Sequence, residues 1–190
     1  MMKFLLALVW LSSYMVASAQ TVQNFTLTNV ADGGEVSLYG FNSCQGVAII
    51  FTSNECPYDV QYIDNIKLLN ESYKGSIQFL MINSHLDTEE NAAAMAKKFQ
   101  AWEIAAPYLS DKDQIAMECL GATRSPEAFL LKKEGREFSI VYAGAINDNP
   151  LVDEDVDNRY LRNAIDQLLK GERIKVARAR SAGCTIRKKQ

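Results

Sequence analysis

The sequence predicts an α/β fold: a central mixed sheet, helices packed against it, and a β-hairpin at its N-terminal end. Three observations carry that reading. Two apolar runs of strand length, 46–52 (GVAIIFT) and 76–83 (SIQFLMIN), flank a segment of helical period. Hairpin patterns sit near both ends of the chain. The composition, 48% hydrophobic and 23% charged over 190 residues, suits one globular domain rather than a disordered or fibrous chain.

Taken in order, residues 24–38 (NFTLTNVADGGEVSL) alternate apolar and polar positions around Gly33-Gly34, the mark of a hairpin. The run 46–52 is continuous and β-branched, as in a strand covered on both faces. Pro57 opens a helix, because a proline at the first helical position gives up only an N–H that has no partner there. Val60, Ile63, Ile66 and Leu69 carry its period down to Tyr73. After the strand 76–83, a helix is expected over 88–102, with Thr88 capping it and Glu89 and Glu90 in its first turn. A short strand at 106–109 and a short helix at about 113–120 follow. The runs 128–133 (AFLLKK) and 137–143 (EFSIVYA) pair around Glu134-Gly135. A last helix is expected over about 153–169, with Asp153, Glu154, Asp155 and Asp157 at its N-terminal end and Gly171 beyond it. Strands alternating with helices imply a mainly parallel sheet to which the closing hairpin adds antiparallel strands.

The first nineteen residues read as a leader. A short basic start is followed by FLLALVWL and then by small residues at Ala17 and Ala19, the pattern of a cleaved secretory signal. The expected organisation is therefore a signal peptide at 1–19, a domain at 20–171 and a basic tail at 172–190. The expected location is periplasmic or secreted, with no stable insertion in a membrane. A net charge of −3 argues against a dedicated nucleic-acid binder. The four cysteines, Cys44, Cys56, Cys119 and Cys184, would meet an oxidising compartment, where three full pairings are open to them. Their spacing, with one histidine in the chain, does not suit a zinc site, and no cofactor is expected.

Chemistry is expected at Cys56, in TSNECPYD (52–59). It follows a buried strand at a helix start, and ligand or reaction sites lie at the carboxyl ends of such strands. Free N–H groups and the helix dipole favour a thiolate there. A thiol of pKa ~8.5 is about 3% ionised at pH 7, and one of ~6.5 about three-quarters. Glu55 and Asp59 act the other way, since nearby negative charge raises a thiol's pKa. A buried, inert cysteine is the competing reading.

A second landmark is GATRSPEAFLL (121–131), where Pro126 directly precedes an apolar strand. Together, the hairpin, FTSNECPY, GATRSPEAFLLKKEG and AGAINDN resemble the thioredoxin-like, peroxiredoxin-like redoxins of the alkyl hydroperoxide reductase/thiol-specific antioxidant superfamily. They are most similar to an exported bacterial subgroup of it. The resemblance implies a thioredoxin-like fold, Cys56 as nucleophile, and Pro126 as a cis-proline beside it. It implies that Ser125 and Pro126 offer backbone groups to an extended substrate. Arg124 would stabilise a thiolate or polarise a peroxide, the alternative for it being a surface arginine. Ser53 supplies a hydroxyl where peroxiredoxins carry threonine, although Ile49 replaces their proline. Asp59 replaces the second cysteine of a thioredoxin pair, Ser53 the cysteine three residues before Cys56 in many relatives, and Glu55 their usual histidine.

With those positions closed, the basic tail ARARSAGCTIRKKQ offers Cys184 as the resolving partner of Cys56; a static bridge and a free tail thiol are the alternatives. The function expected is thiol–disulfide exchange or peroxide reduction, with protein or small-molecule thiols and disulfides, or peroxides, as substrates and an external reductant. A redox-silent binding or scaffold domain is the alternative. Cys119 reads as a core residue, Cys44 is free or paired with another cysteine and is assigned no role, and His85 is placed outside the site.

Overall fold

A computed structural model describes residues 20–149 and 155–190. The leader assigned to 1–19, and Asp153 and Glu154, lie outside the described residues. Among the described residues, ten strands and four α-helices follow one another as β1 (Thr21–Val22), β2 (Thr26–Asn29), β3 (Glu35–Ser37), β4 (Gly46–Phe51), α1 (Pro57–Ser72), β5 (Ile77–Asn83), α2 (Ala92–Trp102), β6 (Tyr108–Ser110), α3 (Ile115–Leu120), β7 (Arg124–Ser125), β8 (Glu127–Glu134), β9 (Glu137–Gly144), α4 (Tyr160–Leu169) and β10 (Cys184–Thr185).

Eight strands form one sheet in the order β1-β9-β8-β4-β5-β6-β2-β3. Only β4–β5 and β5–β6 are parallel; the other neighbours run antiparallel. The parallel part is thus narrower than the alternation of strands and helices implies, because the β8–β9 hairpin and the β2–β3 hairpin each add on antiparallel to it. The sheet has both faces covered. Ala48 and Ile50 of β4 face α1, α2 and α4, through Tyr62, Ile66, Met95, Trp102, Leu161 and Ile165. Val47, Ile49 and Phe51 face α3 and the N-terminal hairpin, through Leu27, Leu38, Ala116, Met117 and Leu120. The alternation of a period-two strand divides one apolar run between two cores.

Three elements differ from the sequence reading. The segment after β5 begins with a 3-10 turn at Thr88–Glu90, and Asn91, not Thr88, caps the α-helix by accepting from Ala94 N at 3.0 Å. Helix α4 begins at Tyr160, so Asp155 and Asp157 precede it and do not lie within its first turn. Strand β1 pairs with β9 through two residues, too few to show a period in sequence.

The tail is not a solvated appendage. Its first part crosses the end of β9: Ala143 N donates to Ala177 O at 3.0 Å, and Ala179 N donates to Ala143 O at 3.2 Å. Its last part forms β10 against β7, and Ile186 is buried in the same core as Phe51 and Leu109. Burying that side chain contributes about 2 kcal/mol.

Gly144, with φ +139°, sits under the crossing: a Cβ there would lie 1.9 Å from Ala179 O. Gly144→Ala is therefore expected to lower stability by about 1–3 kcal/mol and to loosen the tail. Denaturant unfolding together with amide exchange of residues 177–179 measures both effects.

Candidate functional site

Strand β4 ends at Phe51, and the loop 52–56 turns into α1 with Cys56 as N-cap and Pro57 behind it. The loop must satisfy its backbone donors while buried, since Thr52, Ser53, Asn54 and Cys56 are all nearly inaccessible. Glu90 does most of this. Its carboxylate accepts from Ser53 Oγ at 2.7 Å, from Asn54 N at 2.9 Å, and from Asn83 Nδ2 at 2.6 Å. Ser53 Oγ in turn accepts from Cys56 N at 3.0 Å and from Glu55 N at 3.1 Å. Burial pushes the Glu90 carboxyl up, but the hydrogen bonds from Asn54, Asn83 and Ser53 outweigh it and hold the group below its ordinary range.

Cys56 is joined to Cys184 by a disulfide that spans 128 residues. The Ser125–Pro126 peptide bond is cis, and Cys56 Sγ lies 3.4 Å from Ser125 O. Opposite, Cys184 pairs with Ser125 and Thr185 with Arg124 in an antiparallel ladder. The disulfide opens onto a cleft of about 490 Å³ lined by Ser53, Glu55, His85, Asp87, Glu89, Glu90, Thr185 and Arg187 beside the two cysteines. Cys56 is buried and Cys184 half-buried.

The structure brings Cys56, Cys184, Ser53, Ser125 and Pro126 together. Arg124 is adjacent but engaged: its Nη1 donates to Gly183 O at 3.0 Å, so it fastens the tail. Ser53 is likewise engaged, as the link between Glu90 and the Cys56 backbone. The two acids beside Cys56 part ways. Glu55 is exposed, where solvent screens it. Asp59 is fully buried; Thr52, Ser53 and Ser125 lie against its carboxyl, yet neither oxygen makes a hydrogen bond of full geometry. Burial pushes its pKa well up and favours the uncharged acid.

Three site residues escape the sequence reading: His85, Lys112 and Glu90. His85 is a lining residue, with Nε2 2.8 Å from Ser125 Oγ, and burial lowers its pKa. Lys112 donates to His85 O at 2.7 Å and to Asn83 Oδ1 at 3.0 Å, and burial brings it down to about 8. Asn83 ends β5 and Ser84 and His85 follow it directly, at a strand end adjacent to that of β4, which was the available signal. Glu90 gave none, because it reads equally well as a helix-start acid. Cys44 and Cys119 are free and half-buried. Among the described residues, no group of three or more His, Cys, Asp or Glu is arranged to hold a metal ion.

The family model for Redoxin matches residues 17–159. The chain belongs to the redoxin family. Solved structures agree on the fold. An uncharacterized conserved protein of Geobacillus kaustophilus is 28% identical, with a TM-score of 0.81 over 90% of this chain and 92% of that one. A hypothetical protein of Sinorhizobium meliloti 1021 is also 28% identical, with a TM-score of 0.79 over 88% and 92%. Peroxidoxin BcpB of Mycobacterium tuberculosis, at 15% identity and a TM-score of 0.59 over 80% and 96%, shares the fold. No curated protein matches the chain. Family membership and a cysteine pair at the end of β4 make this redoxin a thiol-redox protein. Among its described residues, no helix is long and apolar enough to cross a membrane.

Because the hydrogen bonds to Glu90 favour its charged form, its stabilisation is complete above the unfolded carboxyl pKa of about 4.3. It is lost as pH falls through the lower folded value. Glu90→Gln should cost about 2 kcal/mol at pH 7. The difference between wild type and variant should shrink as the pH drops below about 4. Urea unfolding over a pH series reads the difference.

Proposed function

We propose that this redoxin is an exported protein that carries out thiol–disulfide exchange, with Cys56 as nucleophile and Cys184 as its resolving partner. The observation that carries the reading is the Cys56–Cys184 disulfide, set at a helix N-terminus against the cis Ser125–Pro126 bond and opening on a cleft. Export rests on the leader-like sequence of 1–19 and on the use of a disulfide, which persists in oxidising compartments.

In the oxidised protein the half-buried Cys184 is the accessible sulfur. An external thiolate attacks Cys184 Sγ and the S–S bond breaks. Cys56 leaves as a thiolate, favoured by the positive end of the helix dipole at the start of α1. A second external thiol resolves the mixed disulfide on Cys184, so two thiols are oxidised to one disulfide and the cysteine pair is reduced. The Cys56 thiolate then attacks a substrate disulfide and expels one substrate thiolate. Cys184 attacks Cys56 Sγ, restores the internal disulfide and releases the second substrate thiol. His85 and Ser125, hydrogen-bonded to each other beside the sulfurs, are positioned to hand protons to departing thiolates. Exchange is favoured over peroxide reduction because Ser53, whose hydroxyl a peroxide would need, is engaged with Glu90 and the Cys56 backbone.

Cys56→Ser should abolish reduction of a model disulfide. Cys184→Ser should react once and stall as a mixed disulfide on Cys56. Product absorbance and intact-protein mass distinguish the two. Unchanged turnover in Cys56→Ser, or peroxide consumption without disulfide reduction, would reject the reading.

A further inference from the structure

The disulfide opens on a cleft whose walls carry unequal charge. Among the described residues that line it, Glu55, Asp87, Glu89 and Glu90 are acids and Arg187 is the one cation. His85 adds no charge, because burial favours its neutral form. Arg124 and Lys112 lie beside the cleft without lining it. The Arg124 guanidinium is held by Gly183 O, and the Lys112 ammonium by Asn83 Oδ1 and His85 O.

These acids are fixed relative to the sulfurs. The Glu90 carboxylate ties the turn at Thr88–Glu90 to the loop before α1, and Glu89 O accepts from Asn54 Nδ2 at 3.0 Å. Asp87 and Glu89 thus stand on a segment anchored to the Cys56 loop, and Glu55 directly precedes Cys56. Of the four, only Glu90 has structural contacts for its carboxylate. Those of Glu55, Asp87 and Glu89 belong to exposed residues and, among the described residues, make no ion pair or hydrogen bond. Their charge is left to act on whatever enters the cleft. The disulfide makes the site, and the acids add a field to it. A cleft lined by one sign of charge between low-dielectric walls focuses that field and concentrates ions of the opposite sign. The chain's own tail brings one such charge there, on Arg187.

We propose that the acid wall formed by Glu55, Asp87 and Glu89 selects thiols and disulfides that carry positive charge beside the sulfur, and disfavours those that carry negative charge. This rests on the exchange reading of Cys56 and Cys184 and names the substrate class for it. The shared chemistry is a sulfur with an ammonium or guanidinium group within a few bonds, in a small aminothiol or in a basic protein segment. In the reductive half of the cycle, the thiolate of such a molecule attacks Cys184 Sγ. The Cys56–Cys184 bond breaks and Cys56 leaves as a thiolate. A second thiolate attacks the reductant's sulfur in the mixed disulfide, and Cys184 leaves and takes up a proton from water. Two thiols become one disulfide, and the cysteine pair gains two electrons. The cation of each reductant is attracted to the acid wall while its sulfur reaches the disulfide.

The test uses the oxidised wild-type protein and three reductants, cysteamine, mercaptoethanol and mercaptopropionate, which are cationic, neutral and anionic. Opening of the Cys56–Cys184 disulfide is followed by alkylation and intact-protein mass. Each rate, taken per thiolate, is divided by the rate of the same thiol with a neutral small disulfide, which removes differences in intrinsic reactivity. At about 0.01 M ionic strength, where the screening length is about 30 Å, the corrected rate for cysteamine should exceed that for mercaptopropionate roughly tenfold. At about 1 M, where that length is about 3 Å, the ratio should fall towards one. Glu55→Gln, Asp87→Asn and Glu89→Gln together should lower the ratio at low salt, and Arg187→Ala should raise it. Opposite signs from the two sets of substitutions separate charge from damage to the fold. Tripeptides with cysteine between two lysines or between two glutamates repeat the comparison. A larger ratio for the tripeptides assigns a basic protein segment as partner, and a larger ratio for the small thiols an aminothiol. Equal corrected rates across both series, with the disulfide opening normally, would overturn the charge selection and leave the exchange reading intact. A preference for the anions would do the same. A disulfide that none of these thiols opens would overturn both.

Discussion

A loop that enters a helix from a fully buried strand has donors to satisfy and no water to satisfy them. The contact between Glu90 and residues 53–54 solves that problem, and the rest of the site is arranged around it. One carboxylate takes the Asn54 N–H directly, and through the Ser53 hydroxyl it steadies the N–H groups of Glu55 and Cys56. It also holds Asn83, which binds Tyr108 and so joins the ends of β5 and β6 to the loop. Cys56 is thereby fixed at the start of α1, where, in the exchange reading proposed above, the helix dipole favours its thiolate. A negative charge so near a nucleophilic sulfur would oppose that. Glu90 spends its charge on hydrogen bonds instead, and Asp59 is driven by burial towards its neutral form.

Much of this was legible in the sequence, for particular reasons. The run GVAIIF reads as a strand buried on both faces and Pro57 as the start of a helix, which places Cys56 between the two. The resemblance to redoxins placed Pro126, and with the local partner positions filled by Ser53 and Asp59 it directed attention to Cys184. Less legible were contacts that pair residues far apart with no periodic signal. Glu90 looked like an ordinary acid at a helix start, and nothing local shows that its side chain turns inwards to a loop 36 residues earlier. Strands β7 and β10 have two residues each, so neither could display alternation, and their pairing depends on the long-range closure that the disulfide provides. Arg124 was legible as a neighbour of the site but not in its employment, since a guanidinium near a thiolate and one on a carbonyl are the same residue in sequence.

The site also shows how a redoxin manages without a local cysteine pair. In a C-x-x-C site both sulfurs belong to one helix turn, and little else changes with the redox state. Here the second sulfur arrives on a strand that also lines the cleft, plugs a socket with Ile186 and covers the cis-proline segment.

The 128-residue separation of the two cysteines has a consequence in time. A chain made at about 5–20 residues per second leaves Cys56 waiting on the order of ten seconds before Cys184 exists. By then all the strands from β4 to β9 have been made, and the tail finds its groove only where β7 and the end of β9 are already in place. The disulfide can therefore close only after the whole sequence of the main sheet has been made.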